Sequence, residues 1–72
     1  MGEELTNEEL DLAILTHLRD ASPEAVMASR LAESVDQTVE RVRERVVVMG
    51  DERPPRVLES TVASDRWMLN TR

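Results

Sequence analysis

The chain of 72 residues contains no cysteine, lysine, phenylalanine or tyrosine, and it has one tryptophan, one histidine and two glycines. Without cysteine, neither a disulfide nor a thiolate metal site can form. The single histidine, His17, has no second histidine nearby to complete a pair of metal ligands. We therefore expect no metal site and no cofactor.

The chain also lacks the patterns typical of enzymes and membrane proteins. It has no glycine-rich phosphate-binding loop, and its predicted helices bring no group of carboxylates together in a sheltered cleft. No apolar run approaches the length of a membrane span, and Met1 to Glu4 lack the basic and then hydrophobic make-up of a signal peptide. The sequence predicts one small cytoplasmic domain over residues 1–72 with no catalytic residues, no small-molecule substrate and no membrane partner.

Charge is the most informative part of the composition. Fifteen acidic residues outnumber nine basic residues, all of them arginine, and the net charge is −6. This balance normally disfavours a nucleic-acid partner, because phosphate binding needs a positive field. An acidic, lysine-free surface resembles that of proteins from salt-loving cells, where a Debye length of about 3 Å at about 1 M salt weakens the objection. The alternative is an ordinary acidic protein from a GC-rich genome, which favours arginine over lysine.

A first helix is predicted over residues 7–19. Thr6 and Glu9 have the spacing of a capping box, in which each side chain bonds the backbone N–H of the other residue. The apolar positions that follow recur at helical spacing: Leu10, Ala13, Ile14 and Leu18. This pattern places Asp11 on the outward face with the other acidic residues.

Two further helices, over residues 23–34 and 38–49, are predicted to follow with a short turn between them. This is the layout of a helix-turn-helix. Thr38 is a natural N-cap for the later helix, because its hydroxyl can accept a hydrogen bond from an unpaired backbone N–H of the first turn. The later helix carries apolar residues at steps of three and four: Val39, Val42, Val46 and Met49.

Two points about these helices stay open at the level of sequence. Residues 25–27 fit the first helical turn, but they also fit a short strand that pairs with a later hairpin, in which case the helix begins near Ala28. Residues 45–49 are rich in valine and fit either a helix end or a strand. Val47 and Val48 make the helix end apolar almost all round, so either the C-terminal hairpin or a second copy of the chain covers them. The second copy is the basis for predicting a homodimer.

The C-terminal part is predicted to be a two-stranded hairpin over residues 56–71. Gly50 is expected to close the preceding helix in the left-handed conformation, and Pro54-Pro55 prevents the helix from restarting. Trp67 is the only aromatic side chain. It is expected to anchor the hairpin to the helices, because the chain has no other large aromatic side chain for its core.

This order of elements resembles the winged helix-turn-helix domain, and in particular the small archaeal repressor-like transcription regulators of halophilic type. The most specific part of the resemblance is the run LAESVDQT at residues 31–38, followed by Val42 and Val46. The resemblance implies an α+β fold of three helices plus a C-terminal β-hairpin. It also implies that the third helix enters the major groove of DNA and that the hairpin acts as a wing.

The resemblance leads us to expect a sequence-specific DNA-binding transcription regulator. The residues expected near base edges are Gln37, Thr38, Glu40 and Arg43. The residues expected to touch phosphates are Arg41, Arg43, Arg45, Arg53, Arg56 and Arg66. Glu40 and Glu44 differ from the polar or basic residues usual on such a helix, and a glutamate near phosphates is repulsive unless it orients an arginine. The alternative is therefore a winged-helix protein-protein interaction module that does not bind DNA.

Overall fold

The computed structural model describes residues 4–62 and 64–71, which form three helices and a three-stranded antiparallel sheet. The elements are α1 (Asn7–Ala21), β1 (Val26–Met27), α2 (Ala28–Val35), α3 (Val39–Asp51), β2 (Val57–Glu59) and β3 (Arg66–Leu69). The predicted small α+β class is confirmed. Residues 1–3, where the sequence predicts no signal peptide, and Ala63 in the predicted hairpin turn lie outside the described residues.

The first helix begins as predicted and ends two residues later than predicted. The Thr6 N–H donates to Glu9 Oε1 at 3.0 Å, and the Glu9 N–H donates to Thr6 Oγ1 at 3.2 Å, so both halves of the capping box are formed. One prediction for this helix is wrong: Asp11 is buried rather than outward. Its carboxylate has a partner on another helix, which the periodicity of α1 alone does not reveal.

The helix predicted over residues 23–34 is shorter than expected and begins at Ala28. Residues 26 and 27 form β1, in which Val26 lies opposite Trp67 and Met27 lies opposite Arg66. The alternative with a short strand is therefore correct, and the longer helix is wrong. The physical reason is that β3 offers hydrogen bonds to this segment, while the N–H of Ala28 donates to the carbonyl of Asp65 at 3.1 Å.

The turn between α2 and α3 forms at the predicted residues. Asp36 adopts a left-handed conformation with φ of 56°, and the Gln37 N–H then donates to the carbonyl of Ala32 at 3.0 Å. These bonds satisfy carbonyls at the end of α2. Thr38 caps α3 by accepting a hydrogen bond from the Arg41 N–H at 3.2 Å, so the predicted N-cap is confirmed.

The third helix continues through residues 45–49 and ends at Asp51, so the strand alternative for this segment is wrong. Gly50 lies inside the helix and does not have a positive φ, which corrects its predicted role as the left-handed closing residue. The chain leaves the helix at Glu52 in an extended conformation. The carbonyl of Met49 accepts a hydrogen bond from the Arg56 N–H at 3.2 Å, so the returning chain satisfies one terminal acceptor of α3.

The C-terminal hairpin of β2 and β3 forms inside the predicted range. β1 pairs with β3, so the sheet has three strands in the order β1-β3-β2. The buried core combines side chains from every helix and from the sheet: Leu10, Ile14, Leu18, Ala28, Leu31, Ala32, Val42, Val46, Met49, Val57 and Trp67. Trp67 is 8% exposed, and its Nε1 is buried without a hydrogen-bond partner among the described residues. The Trp67 indole therefore packs in the core as an apolar group and anchors β3 to the helices, which is the predicted role of this residue.

The neighbouring residues Val46 and Val47 offer a direct test of this core. Val46 is fully buried and Val47 is 48% exposed on the same helix. We expect Val46→Ala to lower the free energy of unfolding by about 2 kcal/mol, because two methyl groups leave a packed core, whereas Val47→Ala should change it by less than about 0.5 kcal/mol. Urea denaturation at constant salt measures both values. Equal losses in the two variants would contradict this packing.

Candidate nucleic-acid interface

The N-terminal ends of α2 and α3 open onto one groove at the surface. The groove has a volume of about 570 Å³ and is lined by Met27, Ser29, Arg30, Ala32, Glu33, Gln37, Thr38 and Val39. The lining includes the first residues of both helices, and a helix N-terminus favours negative charge. The groove therefore brings together two predicted contact residues, Gln37 and Thr38, with Arg30, which the sequence did not single out.

Arg43 lies on the exposed face of α3 and is paired with Asp65 from the turn before β3. Arg43 Nε donates to Asp65 Oδ1 at 2.9 Å, and Nη2 donates to Oδ2 at 2.7 Å. The hydrogen bonds from Arg43 lower the pKa of the Asp65 carboxyl and raise the pKa of the guanidinium, so the pair stays ionised at neutral pH. The side chains are 52% and 35% exposed, so a ligand can reach this pair.

Arg41 joins α3 to the start of α1 and does not present its guanidinium freely to a ligand. Its Nη1 donates to Gln37 Oε1 at 2.7 Å. Its Nη2 donates to the carbonyl of Leu5 and, at 3.4 Å, to Asn7 Oδ1. The side chain is largely buried. Arg41 has a structural role in linking α3 to the start of α1. Its phosphate contact stays a prediction, and it would compete with these internal hydrogen bonds.

Arg45 forms a buried ion pair with Asp11 of α1. Nε and Nη2 of Arg45 donate to the two carboxylate oxygens at 2.8 and 2.7 Å, and the side chains are only 14% and 6% exposed. The hydrogen bond to Asp11 raises the pKa of Arg45. The phosphate contact of Arg45 stays a prediction, and it would require breaking the pair with Asp11. The sequence contained a clue, because Asp11 precedes Ile14 by three residues and Leu18 by seven, which places it on the buried stripe.

Two further arginines that were predicted to contact phosphates, Arg53 and Arg56, bond residues at the C-terminal end of α3. Arg56 Nε and Nη2 donate to the carboxylate of Glu52 at 2.6 and 2.8 Å, and Nη2 lies 3.6 Å from Asp11 Oδ2. The hydrogen bond from Arg56 lowers the pKa of Glu52. Arg53 donates to the carbonyls of Asp51 and Glu52 at 3.4 and 3.1 Å. Both arginines are predicted phosphate contacts, but their donors bond the chain around residue 52.

Arg30 and Arg66 form no ion pair with the residues that the structure describes. They line a second cavity of about 420 Å³ together with His17, Ala21, Glu24, Ala25, Val26 and Met27. The sequence predicted a phosphate contact for Arg66 but did not single out Arg30. The helix predicted over residues 23–34 placed Arg30 in the middle of that helix. The strand β1 moves Arg30 into the first turn of α2, beside the groove.

Glu40 and Glu44 remain on the exposed face of α3. The spacing of the sequence would allow them to pair with Arg43 and Arg41 within the helix. Instead these two arginines bond residues of other elements, and among residues 4–62 and 64–71 neither glutamate forms an ion pair. The outward face of α3 is therefore more acidic than its composition suggests.

Within the described part of the chain, no helix has the length and apolar character needed to cross a membrane. The same residues contain no group of three or more histidine, aspartate or glutamate side chains that could hold a metal ion. Comparison with protein-family models, curated proteins and solved structures finds no match for this chain. Geometry and charge are therefore the basis for assigning a function.

The two bidentate pairs of α3 differ in burial and predict different losses of stability. Arg45→Met preserves much of the side-chain volume but removes both short hydrogen bonds to buried Asp11 and leaves only the longer contact with Arg56. We therefore expect the free energy of unfolding to fall by about 3 kcal/mol, the low end for a broken buried pair. Arg43→Met is the matched control, because it removes an exposed pair whose charges water can solvate, and its effect should be far smaller. Urea denaturation at constant salt compares the two variants. Similar losses would show that the buried pair has no special role.

Proposed function

We propose that this chain is a winged helix-turn-helix transcription regulator that binds double-stranded DNA with the N-terminal half of α3. The observation that carries the proposal is the groove lined by α2 and by the start of α3. One of its lining residues, Arg30, forms no ion pair with the residues that the structure describes. The turn at Asp36-Gln37 and the hairpin that follows α3 support the same assignment. The proposal includes a cytoplasmic location, because the DNA of an archaeal cell lies in the cytoplasm.

The side chains around the groove suit particular parts of DNA. Val39 offers an apolar surface to a thymine methyl group, Glu40 can accept from the N4 amino group of cytosine, and Arg43 has the fork that matches guanine O6 and N7. Arg30 and Arg66 flank these groups and suit phosphates, which fix the orientation of a protein on the duplex. Thr38 is a weaker candidate for a base contact, because its hydroxyl already caps α3.

The arrangement also implies a shallow dependence of DNA affinity on salt. Each phosphate neutralised by an arginine contributes about −0.9 to the slope of log affinity against log salt. Arg30 and Arg66, which form no ion pair within residues 4–62 and 64–71, therefore give a slope of about −2. The six phosphate contacts expected from the sequence would give about −5. A small slope suits a regulator that works in molar salt, where the net charge of −6 is screened at short range.

Removing either unpaired arginine tests this interface. We expect Arg30→Ala and Arg66→Ala each to weaken binding to duplexes of every sequence and to reduce the salt slope by about 1, because each removes one phosphate contact. Arg19→Ala is the matched control, since Arg19 is exposed near the end of α1 and carries the same charge. Fluorescence anisotropy with labelled genomic and random duplexes, from low to molar salt, measures both quantities. Unchanged slopes in the two variants would contradict these contacts.

The exposed acidic residues of α3 favour a second candidate function, a winged-helix module that binds another protein. Glu40 and Glu44 repel phosphates, and neither forms an ion pair with another of the described residues. The same duplex titration separates the two functions. If the wild-type protein binds no duplex at any salt concentration, the DNA proposal is wrong and the protein-binding function replaces it.

A homodimer is part of the DNA proposal, with the valines at the end of α3 as its contact. Val47 and Val48 are 48% and 41% exposed, and Val47 lies beside a cleft that Val57, Leu58 and Trp67 help to line. The hairpin therefore leaves both valines partly uncovered. A two-fold dimer would present two copies of α3 to two half-sites, which is how helix-turn-helix proteins usually bind operators.

We expect Val47→Glu to convert the dimer into a monomer, because it places a charge in the apolar contact. Sedimentation equilibrium over a range of protein concentrations measures the change. Val62→Glu is the control, because it introduces the same charge at a valine that is 93% exposed and lies outside α3. A wild-type protein that stays monomeric at high concentration would rule out this dimer.

A further inference from the structure

We infer that Asp65 is an internal competitor for DNA: its carboxylate occupies the two Arg43 donors that a phosphate or a guanine edge needs. This inference rests on the proposed function, because it concerns how strongly the same face binds a duplex. We call these two side chains the Arg43–Asp65 pair. In this view the pair links α3 to the turn before β3 and also determines the affinity and selectivity of DNA binding.

The geometry of the Arg43–Asp65 pair supports competition. Two parallel hydrogen bonds, of 2.9 and 2.7 Å, use Nε and Nη2 on one edge of the guanidinium. Carboxylates, phosphates and the O6 and N7 atoms of guanine all present two acceptors that match this fork. The same edge of Arg43 cannot bond Asp65 and a DNA acceptor pair at once. DNA that uses this edge must therefore displace the carboxylate.

Exposure distinguishes this pair from the other aspartate pair of α3. Arg43 and Asp65 are 52% and 35% exposed, whereas Arg45 and Asp11 are buried. An exposed pair contributes little to stability because water solvates both charges. Opening it therefore costs the fold little. Arg43 is the bidentate arginine of α3 that a ligand can reach from outside.

The backbone holds Asp65 in place when its side chain is displaced. Asp65 has φ of 62° in the left-handed region, its carbonyl accepts from the Ala28 N–H at 3.1 Å, and β3 begins at the next residue, Arg66. The carboxylate consequently stays near Arg43 and close to any bound DNA. It would then repel phosphates, which adds to the cost of breaking the pair.

This arrangement should reduce non-specific binding more than specific binding. A duplex that offers one poorly placed oxygen cannot replace two charge-assisted hydrogen bonds to Asp65, whereas a well-placed acceptor pair can. The wild-type chain would then bind only where the rest of the interface aligns Arg43 with such a pair. Asp65 thus acts as a selectivity device by opposing the wrong contacts.

The test compares Asp65→Asn with the wild type. Asparagine tolerates the left-handed backbone and keeps one acceptor, but it removes the charge and the bidentate match. We expect affinity for a mixed-sequence duplex to increase about threefold to fivefold, the size of an exposed ion pair. The control is Asp20→Asn, an exposed aspartate at the end of α1 with the same charge change, which should shift affinity less than twofold. Measurements use the lowest salt at which the wild-type protein is folded.

Two duplexes distinguish the source of the acceptors. If a phosphate replaces Asp65, Asp65→Asn strengthens binding to an alternating A·T duplex as much as to a guanine-containing duplex. If guanine replaces it, only the guanine-containing duplex gains. If the wild type binds DNA but Asp65→Asn binds equally or more weakly, the inference fails and the proposed function stands. If neither protein binds any duplex, both are wrong.

A measurement on the wild-type protein covers the case in which Asp65→Asn does not fold. The Arg43 Nε–H resonance in a nitrogen-proton NMR spectrum reports the hydrogen bond to Asp65. Addition of duplex should shift this resonance as its acceptor changes, while the Arg45 Nε–H, bonded to buried Asp11, should keep its position. A duplex that binds without shifting the Arg43 resonance would overturn the inference.

Discussion

The buried ion pair between Asp11 and Arg45 is the interaction on which the arrangement of the helices depends. It joins α1 to α3 through two short hydrogen bonds inside a core with a single aromatic side chain. A domain of this size buries little apolar surface, so polar links between elements matter more than in a larger protein. Such a pair fixes one relative position of the two helices, because leaving either charge buried and unpaired is costly.

The same use of arginine recurs across the fold and limits what the surface can bind. Arg41 connects α3 to the start of α1, Arg43 connects it to the turn before β3, and Arg56 bonds Glu52 beyond the helix end. The guanidinium suits this work because it donates several hydrogen bonds in fixed directions and stays charged. An arginine that is paired with a carboxylate of the protein contributes less positive electrostatic potential at the protein surface. The positive surface available to a partner is thus far smaller than nine arginines suggest.

A DNA-binding function on an acidic chain depends on local geometry rather than on net charge. The groove between α2 and α3 has both Arg30 and the Thr38 cap among its lining residues. In high salt, long-range attraction is screened, whereas hydrogen bonds made at contact persist. If Asp65 competes with DNA for Arg43 as proposed, the pair further favours well-aligned DNA contacts over poorly aligned ones. Acidic composition and selective recognition are compatible on this basis.

Interactions between residues close in sequence were sufficient to predict several features of the fold. The capping box at Thr6, the turn at Asp36-Gln37 and the N-cap at Thr38 involve residues close in sequence, so spacing alone determined them. Only the tertiary structure decided that residues 26 and 27 are a strand and that the arginines of α3 bond distant residues. Strand pairing and ion pairs join positions that are 22 to 41 residues apart, and periodicity carries no information about such partners. The sequence by itself therefore determined the turn at Asp36-Gln37 and the start of α3, because these depend on neighbouring residues. The packing decided where α2 begins and which charged side chains remain exposed.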